Sequence, residues 1–214
     1  MTAVLFDMDG VVIDSELYWP EMEAERLFPE VVPDQDVDPA EVMGMNYREI
    51  YDYLAEHYEV AVGRDRHIEV FEDIAEEIYG ERANLMDGFE ELLADIQAGG
   101  IDVGLVTSSP PAWIEIVIER FGLDGHFDAI VSAENVPNGK PEPDVYRRAL
   151  DELTADPDSA VAVEDSTTGA KAARAAGIRC LGYTGVHDGI DPDVVDAVVS
   201  GPEQLRTVLF EHFE

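Results

Sequence analysis

At 214 residues with 46% apolar side chains, the chain is long enough for one solid core, with or without a smaller insert, and has the composition of a globular protein. Acidic residues outnumber basic ones 48 to 13, for a net charge of −35, and so negative a surface repels nucleic acid and anionic lipid, excluding both as expected partners. Small molecules and metal ions are left. Taken in chain order, short β-branched runs predict buried strands: AVLF at 3–6, IDVGLVT at 101–107, FDAIVS at 127–132, AVAV at 160–163, RCLGY at 179–183 and AVVS at 197–200. From Asp87 onward, helical segments lie between these runs. They are GFEELLADIQAGG, PAWIEIVIERFG, PDVYRRALDEL, TGAKAARAAG and, at the end, PEQLRTVLFEHF; the first two close on glycine, and the second also opens on proline. Alternating strand and helix predict an α/β chain with a doubly wound, mostly parallel sheet.

Residues 15–85 break the alternation. There LYWPEMEAERLF, YREIYDYLAEHY and HIEVFEDIAEEIYG follow helical spacing with no strand between them, which predicts a helical insert after the first strand. The core is then 1–14 together with 86–214. The expected hinges, GVVIDS and ANLMDG, each hold a glycine that can absorb a dihedral change. Cys180 is the single cysteine and sits in an apolar run, so it is read as a small core residue in a reducing cytoplasm. Asp7 and Asp9 interrupt the apolar N-terminal run, so neither a signal peptide nor a membrane span is expected, and the chain is read as a monomer.

In an open parallel sheet, ligands bind beyond the carboxyl ends of the strands. Four predicted strands run into reactive groups there: DMDG after AVLF, TSS after VGLV, GKPEPD after the FDAIVS run and EDSTTG after AVAV. If Asp7, Asp9, Glu164 and Asp165 converge, each pair of charges about 4 Å apart repels by roughly 4 kcal/mol at an effective dielectric near 20. A divalent cation is needed. Oxygen ligands without His or Cys suit Mg²⁺, which is often shared with a substrate phosphate. Thr107 can donate its hydroxyl to a phosphoryl oxygen, and Lys140 adds a compact, mobile positive charge. Lys140 is one of only two lysines, and the other, Lys171, is read as a surface charge on its helix. An acidic excess with so few lysines resembles proteins of salt-accumulating halophiles, in particular haloarchaea, whose roughly 1 M salt shortens the Debye length to about 3 Å and screens the self-repulsion.

These segments are similar to the haloacid dehalogenase superfamily, in its phosphatase branch, and to the subfamily that includes β-phosphoglucomutase and phosphoglycolate phosphatase-like enzymes. FDMDGVVIDSE resembles the first motif, LVTSS the second, GKPEPDVY the third and VEDSTTGAKAA the fourth, in the family's order. The resemblance implies a Rossmann-like core with an α-helical cap at 15–85 that closes over a small phosphorylated metabolite. It implies Asp7 as the nucleophile that forms an aspartyl phosphate and Asp9 as the acid and base. Thr107, Lys140 and the Ser108 backbone N–H would hold the phosphoryl oxygens. Mg²⁺ would be held by Asp7, the Asp9 main-chain carbonyl, Asp165 and Glu164, the last directly or through water.

Within the resemblance, the mutase pattern has a histidine five residues after Asp14, where this chain has Trp19. Arg48 comes close to the place of a phosphate-binding cap residue, and Arg64 and Arg66 are further candidates. The expectation is therefore a phosphatase, with a phosphosugar mutase as the alternative; dehalogenase chemistry is disfavoured because that branch lacks the second aspartate. A phospho-receiver module is disfavoured by chain order, since the acidic pair here follows the lysine. The five histidines, His57, His67, His126, His187 and His212, belong to no motif, and solvated roles are expected for them.

Overall fold

The computed structural model describes residues 1–213. Its centre is a sheet of β1 (Ala3–Phe6), β2 (Asp102–Thr107), β3 (Ala129–Ser132), β4 (Ala160–Glu164), β5 (Arg179–Tyr183) and β6 (Ala197–Val199), in the order β3-β2-β1-β4-β5-β6. Every pairing is parallel, with Ala3 opposite both Asp102 and Ala160. β1 therefore lies at the sheet's centre with a parallel neighbour on each edge, which explains why all four of its residues are buried and why AVLF carries no polar alternation. The order reverses direction at β1, so the crevice at its carboxyl end is where this topology places a ligand.

The chain divides into two compact units, Met1–Asp14 with Asn84 onward, and Ser15–Ala83. The two crossings run side by side. Ile13 pairs antiparallel with Leu85, and the Asp14 carboxylate accepts from both the backbone and the side-chain N–H of Asn84, at 2.6 and 3.0 Å. Gly10 and Gly88 bracket this ribbon with φ of 74° and 72°, in the left-handed region where a Cβ is strained.

The second unit holds α1 (Trp19–Met22), α2 (Phe28–Val31), α3 (Tyr47–His57) and α4 (Arg64–Glu77), with π-helical turns at Glu23–Leu27 and Ile78–Arg82. No strand is present among its described residues. The first expected helix is thus one helical run whose middle turn is widened, and Pro29 near the start of α2 accounts for the interruption: it lacks the N–H that an α-helix would donate four residues back. α3 starts on a reciprocal cap in which Asn46 accepts from the Arg48 N–H while Glu49 reaches back to the Asn46 N–H. His67 departs from its expected solvated place. It is fully buried between Tyr51 and Phe71, with Nε2 2.9 Å from the Tyr47 carbonyl and no partner at Nδ1, because α4 turns this position inward.

Glu23, at 7% exposure, is the second unit's buried carboxyl, and burial pushes it up to about 7 from an ordinary 4.5. A raised carboxyl binds its proton more tightly when folded, so its contribution to stability is largest below about pH 4.5 and is lost as pH rises to about 7. Glu23→Gln should therefore stabilise the protein by about 1–3 kcal/mol at pH 8 and by little at pH 4.5, measured as the shift of a denaturant midpoint at the two pH values.

In the first unit α5 (Phe89–Ala98), α6 (Pro111–Phe121), α7 (Asp144–Leu153), α8 (Thr167–Ala175) and α9 (Pro202–Phe213) accompany the strands. α7 and α8 cover one face, burying Val145, Ala149 and Leu153 with Ala170 and Ala173 against Leu5, Ala162 and Cys180. The small residues of α8 let its backbone approach the sheet closely. On the opposite face Phe6 meets Phe89 of α5 edge to face, at 5.3 Å. No helix among the described residues is long and apolar enough to cross a membrane.

Candidate active site at the carboxyl end of the sheet

Four segments meet where the strand order reverses. Asp7 is the first residue beyond β1, and its N–H donates to the Val163 carbonyl of β4 at 3.0 Å, which fixes its main chain beside the neighbouring strand. Glu164 ends β4 and Asp165 follows it. Each of the three can offer an oxygen within 4.8 Å of the others, and all three residues are buried. Glu164 is completely buried because the N-terminal turn of α8 passes over it: a Cβ on Gly169 would stand 2.0 Å from Glu164 Oε2. A Cβ on Gly10 would stand 1.8 Å from Asp165 Oδ2. Glycine at both places makes room for carboxylates.

Lys140 reaches into this group from the loop between β3 and α7, its side chain only 4% exposed. Its ammonium donates to Asp7 Oδ1 at 2.9 Å and to the Val106 carbonyl at 3.0 Å, and lies 2.7 Å from Glu164 Oε1. An ammonium has three protons, and these acceptors take all of them. The expected mobile charge is thus corrected: the lysine is buried and tethered, because two carboxylates and a carbonyl converge on it. Burial disfavours its charge, but Asp7 and Glu164 outweigh that and hold it above the ordinary lysine range. Asp7 is pushed well above the usual carboxylate range by burial, an effect that Lys140 opposes and that Glu164, Asp165 and Asp9 reinforce. Burial likewise raises Glu164, against the pull of Lys140.

Three carboxylates, when ionised, facing one ammonium leave two negative charges in a buried site, the deficit that a divalent cation removes. The donors are all hard oxygens, which fits Mg²⁺. Asp9 lies apart from the three. Its Oδ2 accepts from Ser109 Oγ at 2.7 Å, and its side chain is not one of the three grouped carboxylates; the ligand that the resemblance implies from it is its main-chain carbonyl. Thr107 ends β2, fully buried, with Oγ1 accepting from the Ser109 N–H at 3.0 Å. Ser108 is exposed beside it. Asp7, Asp9, Thr107, Ser108, Lys140, Glu164 and Asp165 therefore all belong to one end of one sheet.

Arg48 belongs to the other unit, exposed at the start of α3 with its guanidinium 5.0 Å from the Tyr47 ring centre. Arg64 pairs with Asp52, and Arg66 with Glu30 and Glu69. Trp19 packs 5.7 Å from Phe71 and 6.0 Å from Tyr79, centre to centre.

Three residues of the site receive no role from the motifs, although Ser109 lies in LVTSS and Tyr146 in GKPEPDVY. Ser109 holds Asp9 and is itself held by Ser132 Oγ, which donates to its carbonyl at 2.7 Å. Tyr146, fully buried on α7, donates its hydroxyl to Glu164 Oε1. Its place in GKPEPDVY was the available signal, but a tyrosine at a helix start reads as packing. His187 corrects a second solvated assignment: its Nε2 lies 2.8 Å from Asp165 Oδ2.

Comparison with known proteins places the chain in a family. Residues 4–183 match the family model described as haloacid dehalogenase-like hydrolase. The chain is 31% identical to a phosphorylated carbohydrates phosphatase of Thermotoga maritima, over 99% of each. It is 33% identical to hexitol phosphatase B of Escherichia coli, over 84% of this chain and 82% of that one. Among solved structures, a Thermotoga maritima protein provisionally assigned as a β-phosphoglucomutase superposes with a TM-score of 0.79 at 29% identity, over 99% of each chain. CbbY from Rhodobacter sphaeroides, in complex with phosphate, gives 0.77 at 26% identity, over 94% and 95%.

Proposed function

The chain belongs to the haloacid dehalogenase-like hydrolase family, and from that premise we propose that it is a Mg²⁺-dependent phosphomonoesterase acting on a small phosphorylated metabolite through an aspartyl phosphate on Asp7. The observation that carries this reading is the position of Asp7. It lies at the strand-order reversal, bonded to Lys140 and grouped with Glu164 and Asp165.

An ionised Asp7 oxygen attacks phosphorus, and the bond from phosphorus to the ester oxygen breaks. Asp9, two residues on, gives its proton to the departing alkoxide, then takes one from the water that attacks the aspartyl phosphate and frees Asp7. Ser109 steadies Asp9 for both transfers by its hydroxyl bond. Thr107 accepts the Ser109 N–H, which leaves its own hydroxyl proton for a phosphoryl oxygen, beside the Ser108 N–H. Lys140 holds Asp7 in place and supplies positive charge where the transferring group spreads its own. Asp7, Glu164, Asp165 and the Asp9 carbonyl would hold Mg²⁺, which when bound offsets the charge of the carboxylates and of the phosphoryl group.

Substrate choice is assigned to the helical unit, Ser15–Ala83, read as a cap, with Arg48 as its candidate phosphate contact. Relatives named for phosphorylated carbohydrates and hexitols direct the search to sugar and polyol phosphates. The mutase alternative rests on the likeness to the Thermotoga structure, while Trp19 in place of histidine speaks against it.

The test is phosphate release from a panel of sugar, polyol and glycolate phosphates in molar KCl, with Mg²⁺ and with EDTA, and with β-glucose 1-phosphate scored for isomerisation. Release should depend on Mg²⁺ and fall at least about 100-fold in EDTA, a loss of roughly 3 kcal/mol of transition-state stabilisation. Isomerisation in place of release would favour the mutase, and silence across the panel would remove the enzymatic reading.

A further inference from the structure

One side chain reaches the three-carboxylate group from a loop that the motifs do not contain. His187 lies between β5 and β6, beyond the 4–183 span of the family match. Its Nδ1 lies 2.9 Å from the Gly189 backbone N–H and its Nε2 lies 2.8 Å from Asp165 Oδ2. A backbone N–H only donates, so Nδ1 is the lone-pair nitrogen and the ring proton is on Nε2, directed at Asp165.

The loop that carries this ring is anchored on both sides. The Thr184 N–H donates to the Val199 carbonyl at 2.9 Å, and the Asp191 N–H to Oγ1 of Thr167, the first residue of α8, at 2.8 Å. Space is reserved for the ring as well. A Cβ on Gly189 would come within 2.7 Å of His187 Nδ1. On its other flank Asp165 Oδ2 lies against Gly10, so one oxygen of the carboxylate is held between an imidazole N–H and a glycine. Held in this way, the carboxylate cannot rotate without breaking the bond.

Resting on the metal-dependent reading above, we propose that His187 is a positioning residue, which donates from Nε2 to Asp165 Oδ2 and fixes that carboxylate before a divalent ion binds among Asp7, Glu164 and Asp165. Hydrogen-bond partners of ligating carboxylates contribute about 10–100-fold to metal affinity, since they remove the cost of ordering the ligand at binding. The His187 side chain is 33% exposed and lies in the loop after β5, outside the buried cluster between the sheet and α7 and α8.

The experiment is a Mn²⁺ titration of EDTA-stripped protein in molar KCl, followed by electron paramagnetic resonance of the free ion, with no substrate present. Wild type should bind, and Asp165→Ala should abolish binding. His187→Ala should weaken Mn²⁺ affinity about 10–100-fold while the metal-free melting temperature stays within about 2 °C of wild type. His187→Gln, whose amide N–H can donate to the same oxygen, should recover most of the loss. An affinity for His187→Ala within about twofold of wild type overturns the proposal, as does a His187→Gln variant no better than His187→Ala. Wild type that binds no Mn²⁺, or binding that survives Asp165→Ala, overturns the metal site itself and this inference with it.

Discussion

Asp7→Asn should abolish phosphate release, by about 10⁴-fold or more, in a protein that stays folded. The change replaces one carboxylate oxygen by an amide and alters the shape of the side chain little. The amide oxygen still accepts from Lys140, which keeps its Glu164 and Val106 partners. Asp7 is also repelled by Glu164, Asp165 and Asp9, so removing its charge relieves strain in the metal-free protein. The denaturant midpoint without metal should therefore equal or exceed that of wild type. A second readout separates nucleophile from bystander. Acid quenching during turnover of a ³²P-labelled ester should leave label on wild type that hydroxylamine removes, as expected of an acyl phosphate, and none on Asp7→Asn. Turnover by clean mutant protein would refute the assignment of Asp7.

Lys140→Met should be the most destabilising of these substitutions, at about 3–5 kcal/mol, because it leaves two buried carboxylates without their cation. Activity should be lost with it. The pH dependence has a defined sign. Asp7 and Glu164 already lie above the ordinary carboxylate range with Lys140 in place, and its removal takes away the influence that lowers them. Both then take up protons more readily in the folded state, so the deficit of the variant should be large at pH 8 and shrink as pH falls. The pair Lys140→Met with Glu164→Gln should recover part of the loss, since the second change removes the charge that the first leaves stranded. Unfolding in denaturant at pH 5 and pH 8 measures all three variants. Equal and additive losses at both pH values would show that the three groups do not act as one network.

Much of this architecture was legible in the residues. The six apolar runs became strands to within two residues at either end, because a strand covered on both faces must be apolar along its whole length. The helices from Phe89 onward followed from glycine stops and proline starts. What linear reading could not give was the surroundings of each side chain. Ser109 and Ser108 are adjacent and chemically identical, yet the first is buried on Asp9 and the second is exposed, since β2 ends between Thr107 and the turn. His67 and His187 read as solvated because nothing local distinguishes a histidine on a helix or a loop from one in a core.

The sequence by itself determined that a parallel doubly wound sheet carries Asp7, Asp9, Thr107, Lys140, Glu164 and Asp165 at one edge, since alternating strands and helices place every strand end on the same side. Only the tertiary structure decided how those groups meet. It showed that Lys140 spends all three protons on Asp7, Glu164 and the Val106 carbonyl, that Tyr146 and Ser109 close the network, and that His187 holds Asp165. The physical reason is range. Strand and helix are set by period and by neighbours a few positions away, whereas these bonds join residues from 18 to 133 positions apart and exist only once the core has brought them together.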